Sequence, residues 1–127
     1  MDIIYCGTPG LQAQVLATYL GKLGHAVSSV ENAHELLSSV RAAPPAFVIL
    51  ALEETPPALV RLARHLLPDP ASAFPHIFIL YEGEPFDTQL EAITLITGAA
   101  RLQRLIDQIR VCGRQTRAPI ENSIPSR

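Results

Sequence analysis

Short apolar runs alternate along this chain with longer stretches in which apolar residues recur every three or four positions. Ile3-Ile4-Tyr5-Cys6 is a run of the first kind, ended by Gly7-Thr8-Pro9-Gly10, and predicts a buried strand followed by a turn. Leu11, Val15, Leu16, Tyr19, Leu20 and Leu23 then repeat at helical spacing, with Gly24 placed where a left-handed cap would end the helix. Ala26–Val30 suits a second strand. Asn32 with Glu35 three residues on forms a capping box ahead of the stripe Ala33, Leu36, Leu37 and Val40, and Pro44-Pro45 stops that helix. Phe47–Leu52 is apolar at every position, as a central parallel strand must be when helices cover both its faces.

The second half repeats the scheme. Thr55-Pro56 reads as an N-cap with proline at the first helical position, leading into Leu59, Leu62, Ala63, Leu66 and Leu67. Pro68-Asp69-Pro70 ends that helix. Ile77–Tyr81 and Ile93–Thr97 read as a fourth and a fifth strand, and Leu102, Leu105, Ile106 and Ile109 define a last helix. Five strand–helix repeats imply an α/β fold, a parallel sheet joined by right-handed crossovers with helices on both faces. The expected strand order is the flavodoxin-like 2-1-3-4-5. Only Glu82 to Ile93 is available to cross from the fourth strand to the fifth, and it contains Gly83 and Pro85, so a short fourth helix of one or two turns is expected there. The folded domain is expected to span residues 1–113, with 114–127, which has no period and carries Pro119 and Pro125, as a flexible tail or linker.

Composition narrows the class. In 127 residues, 48% are hydrophobic and 17% charged, which suits one globular domain and not a disordered chain. No apolar run approaches a membrane span, and Met1-Asp2-Ile3-Ile4 lacks the basic stretch of a signal peptide, so a cytoplasmic protein is expected. Cys6 and Cys112 lie in separate apolar contexts and read as buried thiols. His25, His34, His65 and His76 show no metal-ligand spacing, so neither metal nor cofactor is expected. The net charge of −2 divides unevenly: from Gly98 onward it is +4, and the preceding residues carry −6. An arginine-rich last helix could meet nucleic acid, but a solvated helix face is the simpler reading, and nucleic acid is not the expected partner.

At this point the chain resembles the receiver domain of bacterial response regulators. The likeness covers roughly residues 1–112 in element order. It is closest in Tyr19-Leu20-Gly21-Lys22-Leu23-Gly24-His25-Ala26-Val27, in Ser29-Val30-Glu31-Asn32-Ala33-His34-Glu35-Leu36-Leu37, where the family has an N-G-x-E-A-L segment, and in Pro45-Ala46-Phe47-Val48-Ile49-Leu50, which is similar to its P-D-L-V-I-L. The resemblance implies a chemistry that needs two acidic residues after the first strand to hold Mg²⁺, an aspartate nucleophile ending the third, a threonine or serine ending the fourth and a lysine ending the fifth. Here those places hold Gly7 and Thr8, Ala51, Tyr81, and Gly98 followed by Ala99. A methyl group cannot attack phosphorus, and Glu53 and Glu54 in the following loop have no carboxylate after the first strand with which to share a metal. These five positions mark a degenerate phosphoacceptor pocket, which Tyr81 is expected to fill.

Other chemistry finds little support. Ile3-Ile4-Tyr5-Cys6-Gly7-Thr8-Pro9 also resembles the opening of methionyl-tRNA formyltransferases, but the Asn-His-Asp set that family needs is absent. Gly7-Thr8-Pro9-Gly10 lacks the spacing of a phosphate cradle, and Pro9 removes a backbone donor. The expectation is therefore a module without catalysis, independent of phosphorylation, that binds a histidine kinase, another receiver or an output domain. A homodimer is a further option. The surface expected to make these contacts combines Glu84, Asp87 and Glu91 with Arg101, Arg104 and Arg110. The alternative is a regulatory domain that binds a small ligand or nucleic acid, through the vacated pocket or the arginine-rich helix.

Overall fold

The computed structural model of the chain describes residues 2–69, 75–88 and 90–111. Its elements run β1 (Asp2–Gly7), α1 (Leu11–Lys22), β2 (Ala26–Val30), α2 (Ala33–Ala42), β3 (Phe47–Ala51), α3 (Pro56–Leu66), β4 (His76–Tyr81) and β5 (Ile93–Thr97). A last helix, α4, covers residues 101–111. The five strands form one parallel sheet in the order β2-β1-β3-β4-β5, so the expected α/β, flavodoxin-like architecture stands. The tail expected at 114–127 and Cys112 lie outside the described residues.

Strand position follows from side-chain polarity. Ile3–Cys6, Phe47–Leu50 and Ile77–Leu80 are buried at every residue, and β1, β3 and β4 are the three inner strands. Ala26–Val30, with its two serines, lies at one edge and is nowhere fully buried. Successive residues of a strand point to opposite faces, so each inner strand feeds two cores. Ile4, Cys6, Val48, Leu50, Ile77 and Ile79 pack under α2 and α3. Ile3, Tyr5, Phe47, Ile49, Phe78 and Leu80 pack under α1 and α4.

The local signals act largely as expected. The Glu35 amide donates to the Asn32 side-chain oxygen at 2.9 Å, and the Glu35 carboxylate accepts from the Glu31 amide at 3.0 Å, one residue earlier than the usual reciprocal bond. Gly24 takes φ +93°, which ends the α1 turn in the left-handed region. Thr55 caps α3 through its backbone alone, its carbonyl accepting from the Leu59 amide at 3.0 Å, while Pro56 fills the first helical position.

Two expectations need correction. The α1 stripe is narrower than its spacing implied: Leu16 and Leu20 are buried, but Leu11 is 76% exposed and Tyr19 54%. Leu11 lies five residues before Leu16, about 140° round the helix, and so faces away from the sheet. The short fourth helix expected between β4 and β5 does not form among the described residues, which are 82–88 and 90–92 there. Gly83 and Pro85 disfavour it, and Phe86 and Leu90 of this non-helical strap are instead buried in part against the α2–α3 core. This strap is held by the Thr88 hydroxyl donating to the Ile93 carbonyl at 3.0 Å and by the Ile93 amide donating to the Leu90 carbonyl at 3.1 Å.

Candidate functional site

At the carboxyl ends of β1, β3 and β4, where sheets of this order take ligands, the turns after those strands enclose an open cleft of about 880 Å³. One wall is Thr8–Gln12 and the other Leu52–Pro56. Ala51 and Leu80 contribute from the strand ends, and Glu82, Gly83 and Arg101 close the far side. Three carboxylates, Glu53, Glu54 and Glu82, therefore line the cleft together with one guanidinium. Arg101 donates to Glu82 at 2.7 Å and to the Gly98 carbonyl at 3.0 Å, tying the start of α4 to the turn after β4. With Glu82 83% exposed, this ion pair is screened and contributes little to stability.

The residue at the inner end of the cleft is Tyr5, which the residue-by-residue reading of the chain missed. Its side chain is 2% exposed and its hydroxyl accepts a 2.8 Å hydrogen bond from the Gln12 amide of α1. A β-carbon placed on Gly7 would stand 3.1 Å from that hydroxyl, 3.1 Å from the Ala51 carbonyl oxygen and 3.2 Å from the Ala51 β-carbon. Gly7 and Ala51, paired across β1 and β3, are thus the small residues that make room for the tyrosine. Strand alternation accounts for this. Tyr5 shares a face with Ile3 and with Ala51, which packs against the α1–α4 core.

Tyr81 belongs to the other face, with Ile77 and Ile79, and does not fill this space. Its ring leans over Gly83, whose missing β-carbon would otherwise meet the ring at 2.5 Å, and meets Phe86 edge-on with centroids 5.2 Å apart. It lines the rim of the cleft, as do Thr8 and Ala51. Gly98 sits beyond the end of β5 at φ +95°, a conformation that disfavours any side chain, and is not among the residues lining the cleft. Among the described residues no three His, Cys, Asp or Glu side chains converge as a metal site.

The residues expected to form one charged surface are divided. Glu84, Asp87 and Glu91 are exposed along the strap, and Asp87 lies on the α3 side, in a groove of about 500 Å³ with Arg61, Arg64 and His65. Arg104 turns to the sheet edge and donates to the Thr97 carbonyl at 2.7 Å. Arg110 is exposed on α4, which packs on the opposite face of the sheet from α3. Cys6 is fully buried, and burial, with a smaller contribution from the Glu35 charge, pushes its thiol up to about 11, so it remains protonated and inert at neutral pH.

This sheet order and this helix arrangement define the receiver fold. Solved structures bear that out. The chain is similar to the N-terminal domain of a response regulator receiver protein from Methanoculleus marisnigri JR1, at 19% identity and a TM-score of 0.56, over 85% of this chain and 92% of that one. It is also similar to the pseudo-receiver domain of the CikA protein, at 20% identity and a TM-score of 0.59, over 86% of this chain and 93% of that one. No protein-family model matches the sequence, and no curated protein matches it.

Proposed function

We infer that this chain is a phosphorylation-independent signalling module of the two-component type, a degenerate receiver that works in the cytoplasm by binding other signalling proteins and catalyses nothing. The observation that carries this reading is the Tyr5 hydroxyl, held by Gln12 beside Gly7 and Ala51, in the place where a receiver gathers its carboxylates. Restoring an acid at Gly7 would require its neighbours to give way, because a β-carbon there stands only 3.1–3.2 Å from the Tyr5 hydroxyl and from Ala51. The likeness to a pseudo-receiver domain supports the same reading. So does the place of the readout pair, where Tyr81 and Gly98 stand for a hydroxyl and an ammonium that would sense phosphate. No helix among the described residues is long and apolar enough to cross a membrane.

Partners of this module would be a histidine kinase, a receiver or an output domain, meeting either Glu84, Asp87 and Glu91 on the strap or Arg101, Arg104 and Arg110 on α4, as two separate contacts. The test is incubation with Mg²⁺ and a small phosphoryl donor, followed by intact-mass measurement and an amide NMR spectrum. The mass is expected to stay unchanged and the spectrum to show no saturable shift. Addition of one phosphoryl group would refute the proposal. The open cleft favours one second reading, a small-ligand sensor. It would be supported by saturable shifts confined to Thr8, Gln12 and Tyr81 in a ligand screen. A nucleic-acid reading gains less, because Arg101 and Arg104 are already engaged by Glu82 and by backbone carbonyls.

A further inference from the structure

Loss of the fourth crossover helix changes what lies beside α3. In its place runs the strap, with Glu84, Asp87 and Glu91 spread along it. Next to it α3 exposes Arg61, Arg64 and His65, which fall within little more than one turn. Between strap and helix is the 500 Å³ groove, floored by Val60 and Phe86. Among the described residues no carboxylate pairs with Arg61 or Arg64, and Glu84 and Glu91 likewise make no ion pair. A basic stripe and an acidic stripe therefore lie side by side, both solvent-facing, with an apolar seam between them.

We propose that this groove is the contact surface for a second copy of the chain. A two-fold axis running along the groove sets the α3 stripe of each copy against the strap of the other. In such an isologous contact each stripe meets its opposite charge twice, and the two apolar seams meet at the axis. Charge complementarity selects this occupant over an acidic peptide, which the strap would repel, and over a basic one, which α3 would repel. The contact uses neither the cleft nor the face formed by α4. It deepens the interaction-module reading by naming one partner. It is tested by self-association and not by phosphoryl uptake, so either can fail alone.

Sedimentation equilibrium at low salt reads the mass of the wild-type chain and two variants, Arg61→Glu/Arg64→Glu and Glu84→Arg/Glu91→Arg. The wild type is expected to approach twice its monomer mass as concentration rises towards about 1 mM, and each variant to stay at monomer mass. An equimolar mixture of the two variants is expected to return to the doubled mass, because an acidic α3 then faces a basic strap at one contact and a basic α3 faces an acidic strap at the other. Should either variant fail to fold, Arg61→Gln/Arg64→Gln is read instead, with an association weakened about tenfold. A wild type that remains monomeric, a mixture that does not reassociate, or loss of the dimer in Arg110→Glu on the opposite face would each overturn the proposal.

Discussion

Replacing Tyr5 tests whether this one buried side chain organises the carboxyl edge of the sheet. Tyr5→Phe removes only the hydroxyl. It breaks the 2.8 Å bond from Gln12 and leaves that partly buried amide without its acceptor. A typical net hydrogen bond is about 1 kcal/mol, and an abandoned partner adds to the loss when water cannot reach it. The expected cost is therefore about 1–2 kcal/mol. Tyr5→Ala also deletes a ring that is 2% exposed between the sheet and α1, and belongs with large-to-small core changes of about 3–5 kcal/mol. Tyr81 supplies the comparison: its ring is only partly buried, so Tyr81→Phe is expected to cost less than about 0.5 kcal/mol.

Urea unfolding followed by far-UV circular dichroism measures all three. With an m-value of about 2 kcal/mol per molar, Tyr5→Phe should lower the midpoint by roughly 0.5–1 M. Tyr81→Phe should move it by less than about 0.3 M. A double-mutant cycle of Tyr5→Phe with Gln12→Met should show a coupling of about 1 kcal/mol. A midpoint for Tyr5→Phe indistinguishable from wild type, or a larger loss at Tyr81 than at Tyr5, would refute the assignment of the inner cleft to Tyr5.

Other perturbations follow from single contacts. Burial lowers the pKa of His76, so the unfolded chain binds a proton near pH 6.5 while the folded one resists it. Stability should be full above that pH and fall as pH drops towards the lower folded value. His76→Gln should flatten the fall in urea midpoints measured between about pH 5 and 8. Asn32→Ala removes the cap on the Glu35 amide and should cost about 1 kcal/mol in the same assay, whereas Asn32→Ser should recover most of it. Gly83→Ala forces the Tyr81 ring off the turn and away from Phe86. A change in Tyr81 ring shifts and a loss of about 0.5–1.5 kcal/mol are expected, and unchanged ring shifts would count against the packing described.

The strands were readable because each is a dense apolar run bounded by glycine, proline or polar residues, and burial on two faces leaves no other use for such a run. The strap was harder. Phe86 and Leu90 stand four apart, the spacing of a helical stripe, yet both pack on the α2–α3 core without a helix among the described residues of the strap. Only the lack of helical backbone distinguishes the cases. Leu11 and Tyr19 extended the α1 stripe on paper, because periodicity does not say how wide an arc a neighbouring sheet covers. The proposed loss of an acid site was read from Gly7, Thr8 and Ala51 by resemblance. The place of Tyr5 beside them was not legible, because Tyr5 looks like one more apolar strand residue. Counting alternation from Ala51 and Ile49 across to Tyr5 would have put them on one face and Tyr81 on the other. The Arg101–Glu82 pair joins residues 19 apart through the tertiary fold and leaves no local signature.

The hydrogen bonds along β5 have a consequence for how the chain behaves in crowded solution. The Ile77 amide donates to the Ala92 carbonyl, so Thr94 and Ile96 also direct their backbone groups to β4, and Ile93, Leu95 and Thr97 direct theirs outward. An outward row of this kind is a template on which a foreign strand, or another molecule's misfolded one, can grow. Here the template is largely blocked. The Ile93 amide and carbonyl are taken by Leu90 and Thr88, and the Thr97 carbonyl by Arg104. Among the described residues, Leu95 is the outward-facing β5 residue for which neither backbone group meets such a side-chain or strap contact. One residue cannot register an incoming strand, so an uncharged β-branched edge that would otherwise invite fibrillar growth is kept from propagating it.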